Sequence, residues 1–60
     1  MDAETKRRLK KALIKARGTR KACEAETVTD SPEEKAYWQG RIMALDVEIE
    51  SLLHRLAQEG

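Results

Sequence analysis

His54 follows Ser51 by three positions and Glu50 by four. A serine, a base and an acid are the parts of nucleophilic hydrolysis, but that chemistry needs a concave site that excludes water. Here the spacing sets all three side chains along one helical surface. His54 is expected to be a surface histidine near a helix end, where the helix dipole favours it. Cys23 is the only cysteine, so no disulfide forms within the chain. It is expected to be a small buried residue, with a reactive or interchain thiol as the alternative. Cys23, His54 and two methionines are the only soft metal ligands. They lack metal-binding spacing, and no glycine-rich phosphate loop is present. The carboxylates fall at helical surface spacing. The expectation is no catalysis, no metal and no cofactor.

Charge is the other feature with chemical content. The stretch KRRLKKALIKARGTRK, residues 6–21, holds nine basic side chains and no acid. Residues 1–27 carry nine basic and four acidic groups, net +5, and residues 28–60 three and seven, net −4. The halves are electrically complementary, although the whole chain is only +1. Nine cations are a real footprint for a phosphate backbone. At about 100° per residue, however, they wrap the polar circumference of a helix as a collar. No aromatic residue is interleaved for base stacking, and no helix-turn-helix signature appears. A solvated face is the favoured reading. Contact with nucleic acid or an acidic partner through Lys6, Arg7, Lys10, Lys11, Arg17 and Lys21 stands second. A basic amphipathic helix on a membrane surface or in a calmodulin-like groove stands third, because only Leu9 and Leu13 are large on its apolar side.

The elements that position these residues are readable from punctuation and period. Ser31 is a strong N-cap, Pro32 suits the first helical position, and Glu34 completes an S-x-x-E capping box. Trp38, Ile42, Leu45, Ile49, Leu52 and Leu56 then recur at alternating spacings of four and three, which is a heptad seam. Leu53 widens it to an arc of roughly 100°. The spacing predicts a helix over 32–58. Before the turn, Leu9, Leu13, Ala16 and Cys23, with Thr5, Ala12, Arg20 and Thr27, follow the same period on a face of mostly small residues. They predict a helix over about 3–27, with Asp2 as N-cap. Gly18 is its weak point, at a cost of about 1 kcal/mol relative to alanine, and a break there is the alternative. A short connection makes the two helices antiparallel, with Leu13 near Leu45 or Ile49 and Leu9 near Ile49 or Leu52.

The expected fold is therefore all-α, a single helical hairpin domain over residues 1–60. Its apolar surface does not balance. The first helix offers Leu9, Leu13 and Ile14 as large apolar residues; the second offers ten. Each fully buried Leu or Ile is worth about 1.5–3 kcal/mol, so something else is expected to cover the second helix. A chain this short is marginal as a monomer. A second copy would give a four-helix-bundle homodimer; the other candidate is a different protein. Gly40, Met43, Val47 and Leu53 are the candidate interface positions. No apolar run exceeds the four residues of IMAL, so neither a membrane span nor an export signal is expected. A single thiol then suits the cytoplasm.

The outline resembles that of small dimeric helical-hairpin proteins, among them the plasmid RNA-binding regulators of the Rop type. The stretch AYWQGRIMALDVEIESL, residues 36–52, resembles the second helix of the small hairpin co-chaperones of type III secretion needle proteins. Those co-chaperones cover the apolar surface of a needle subunit. The resemblances cover an outline and one helix respectively. Between them they imply two kinds of function, a protein-binding adaptor, chaperone or regulator and a dimeric nucleic-acid-binding regulator. The first is favoured, on the surplus apolar surface.

Overall fold

The computed structural model describes residues 2–58 and contains two helices, α1 (Ala3–Glu26) and α2 (Pro32–Ala57). They pack against each other as a hairpin. The molecule is a rod with extents of 46 × 14 × 11 Å and a radius of gyration of 14.2 Å. A compact chain of this length would have a radius of about 10 Å.

Each helix begins where a side chain can take over an orphan amide. Asp2 accepts the Thr5 amide at 2.7 Å. Ser31 accepts the Glu34 amide at 3.4 Å, with Pro32 in the first turn. The capping box closes differently from its usual reciprocal form. The Glu34 carboxylate accepts from the Thr29 hydroxyl at 3.1 Å, and that same hydroxyl oxygen accepts the Ser31 amide at 3.3 Å. Thr29 thus stands in for the direct return bond, which ties the connection (27–31) to the first turn of α2. At the other end of that connection the Thr27 hydroxyl donates to the Glu24 carbonyl at 2.6 Å. No described residue needs a positive φ to make the turn.

Helix α1 runs unbroken through Gly18 and stops at Glu26, one residue short of the expected end. A β-carbon on Gly18 would meet nothing within 4 Å, so packing does not require a glycine there. Leu9, Leu13, Ala16 and Cys23 are the buried residues of α1, and Leu52 is the buried residue of α2. Leu9, Leu13, Ala16 and Leu52 form one cluster, with Ala12, Ile49 and Leu56 packed on it. Trp38, Ile42 and Leu45 are half-buried on the same side of α2, and Trp38 meets Tyr37 edge-to-face at 5.1 Å. The core therefore lies towards the open end of the hairpin. Near the turn, small α1 residues leave the α2 seam only partly covered.

Candidate functional site

Two surfaces carry the residues with functional potential, and neither is a cleft. The first is the back of α2. Gly40, Met43 and Val47 are exposed, with Met43 and Val47 each 69% accessible. At about 100° per residue these three lie opposite the seam that faces α1. Leu53, 42% accessible, sits instead beside the seam. The four candidate interface positions thus fall into a back-face group of three and a groove-side residue. Between Ala36 and Ser51 the back carries no charged residue. Arg41, Asp46, Glu48 and Glu50 all lie towards the flanks. A β-carbon on Gly40 would point into open space.

The second surface is the outside of α1. Lys6, Arg7, Lys10, Lys11, Arg17 and Lys21 are all exposed. Within the described residues none of them takes part in an ion pair. Lys6, Arg7, Lys10, Arg17 and Lys21 share an arc of about 100°, and Lys6 to Lys21 spans about 22 Å of helix. Arg8, Lys11 and Lys15, also exposed, continue round the helix beyond this arc, so the stripe is one side of the collar. Ala3, Lys6, Arg7 and Lys10 line an open depression of about 220 Å³.

A third cluster sits where the two helices meet. The Arg20 Nε donates to Asp46 Oδ1 of α2 at 2.5 Å, and its Nη1 pairs with Glu24. This is the ion pair that crosses between the helices among the described residues. Arg20 and Asp46 side chains are 36% and 49% accessible, so the pair steers packing more than it stabilises, at about 0–1 kcal/mol. Sequence periodicity puts Arg20 on the inner face of α1 and Asp46 beside the seam of α2, without pairing the two. The complementary charge of the two halves was the signal available. The adjoining depression, about 420 Å³, is lined by Arg17, Arg20, Lys21, Glu24, Asp46 and Ile49. Its two carboxylates oppose its three cations, which leaves little net field for an anion.

Glu50, Ser51 and His54 are exposed on α2. His54 Nε2 lies 3.1 Å from the Gln58 side-chain amide nitrogen, and no hydrogen bond joins it to Ser51 or Glu50 among the described residues. Cys23 is a buried free thiol. The described residues hold no group of three or more metal-ligating side chains, and no helix among them is long and apolar enough to cross a membrane. Hydrogen bonds from Thr5, side chain first and then backbone, hold the Asp2 carboxyl below its ordinary value of 3.8. No protein-family model matches the chain, and neither a curated protein nor a solved structure matches it.

Proposed function

We propose that this protein is a non-enzymatic helical hairpin that works by binding protein through helix–helix contacts, as an adaptor, chaperone or regulator. The observation that carries this reading is the exposure of Met43 and Val47, 69% each, on an uncharged stretch of α2. Apolar side chains exposed singly are ordinary; grouped on one uncharged face they mark a contact surface. The accessible surface points the same way. It is 4819 Å² for a 6.8 kDa chain, against about 4000 Å² for a compact monomer of that mass.

The test is site-specific photo-crosslinking in cells. A photoreactive side chain in place of Met43 gives a discrete protein adduct, whereas one in place of Lys15, on the back of α1, does not. Absence of any adduct at position 43, or the same adducts at both positions, counts against the reading.

The exposed stripe of Lys6, Arg7, Lys10, Arg17 and Lys21, free of ion pairs among the described residues, favours a second reading, a dimeric regulator that grips RNA or DNA backbone. That reading requires affinity to fall steeply with salt, by about 0.7–0.9 in log K per log salt for each phosphate contacted. Absence of any mobility shift with single- or double-stranded probes at low ionic strength ends it.

A further inference from the structure

We propose that the back of α2 is covered by the back of α2 from a second copy, running antiparallel about a two-fold axis beside Ala44. The inference rests on the protein-binding reading above and names its partner.

The shape of the face comes first. Ala36, Gly40, Met43, Ala44, Val47 and Ser51 occupy the side of α2 turned away from α1, and all are exposed. A helix brought against this side antiparallel meets small residues where it offers large ones. With the axis beside Ala44, Val47 of each copy enters the space between Gly40 and Ala44 of the other. Met43 of each copy lies across the axis from Ala44 and Val47 of the other. The open space at the Gly40 β-carbon position is what lets Val47 and the second backbone approach. Large against small across facing positions is how helices interdigitate.

Charge then selects the direction. In an antiparallel pair, like flanks of the two helices adjoin. On one flank that sets Arg41 of each copy against Glu48 of the other, and Glu34 against Arg55. On the other flank it sets Lys35 against Glu50. The two-fold repeats every one of these pairs, and none of them joins like charges; Asp46, which comes near its own symmetry mate beside the axis, is already paired with Arg20 of its own chain. Along a single helix Arg41 and Glu48 are two turns apart and do not meet. The helix ends agree: α2 has Glu33 and Glu34 in its first turn and His54 and Arg55 in its last. An antiparallel pair lays each acidic end beside a basic one, and also opposes the two macrodipoles. A parallel pair would stack acid on acid at one end and base on base at the other. The resulting assembly has the two α2 helices at its centre and the basic stripes of α1 outermost.

The test is sedimentation equilibrium on four proteins, wild type, Arg41→Glu, Glu48→Arg and the double reversal, from about 1 μM to about 1 mM. Circular dichroism confirms that each remains helical. Each single reversal makes both symmetric pairs repulsive and weakens the dimer about tenfold, in keeping with the modest worth of exposed pairs. The double reversal re-forms both pairs and returns the dissociation constant to within about threefold of wild type. A wild-type dimer with equal dissociation constants in all four proteins overturns the proposed pairing. A wild-type chain that stays monomeric throughout overturns self-pairing. The protein-binding reading has its own readout, since a heteromeric adduct at position 43 would sustain it and no adduct would end it.

Discussion

At the scale of single residues, the two helix starts are where small changes have the sharpest consequences. Asp2 accepts from Thr5, and its carboxyl is held below 3.8. A carboxyl lowered by folding adds stability above its unfolded value and loses it as pH falls through the folded one. The Asp2 contribution is therefore intact near neutrality and fades in acid below about pH 4. Asp2→Asn keeps a capping acceptor and removes that step. Thermal melts of the two proteins should run parallel at neutral pH and converge or cross in acid; a constant offset across the range would contradict the assignment. Ser31→Ala removes the α2 cap, at a cost of about 1 kcal/mol. Thr29→Val should share part of that loss, because Thr29 links Glu34 to Ser31. A Thr29→Val melt identical to wild type would show that the relay contributes nothing.

At the scale of elements, much was legible. Ser31, Pro32 and Glu34 announce the start of α2, because only a few residue types satisfy orphan amides there. The alternation of threes and fours announces its length. The hairpin follows from the short connection. Three things were less legible, for physical reasons. The continuity of α1 through Gly18 depends on a balance of about 1 kcal/mol, which neighbouring turns outweigh. The role of Thr29 depends on turn geometry, which the capping pattern S-x-x-E does not encode. The Arg20–Asp46 pair depends on which flanks of two helices adjoin, and that is fixed only once they are antiparallel. As for the candidate site, the period assigns Gly40, Met43 and Val47 to one face. It says nothing of what lies against that face, because a period describes one helix and not two. Since the Gly18 β-carbon position is open, Gly18→Ala should stabilise the hairpin by about 1 kcal/mol, read as a rise in melting temperature. A fall would mean that something close-packed approaches α1 there.

At the scale of the whole molecule, the decisive feature is how little of the rod is enclosed. Among the described residues five are buried, and α2 contributes only Leu52 to them. Truncating Leu52 to alanine costs about 2–5 kcal/mol by loss of transfer energy and the cavity left behind. That is comparable with the whole stability of roughly 3–9 kcal/mol expected of a chain this size. Leu52→Ala should therefore melt the hairpin near room temperature, as followed by Trp38 fluorescence and circular dichroism. Val47→Asp touches no buried residue of the cluster and should leave helicity in place. What it should remove is association, because a carboxylate set between two backbones has no partner there.

The most direct test of the account is the solution mass of wild type and Val47→Asp by light scattering, each at two protein concentrations. The account predicts a wild-type mass near twice 6.8 kDa at the higher concentration and a single-chain mass for Val47→Asp, both proteins equally helical. A wild-type protein at single-chain mass throughout, or a Val47→Asp protein that associates as wild type does, would contradict it.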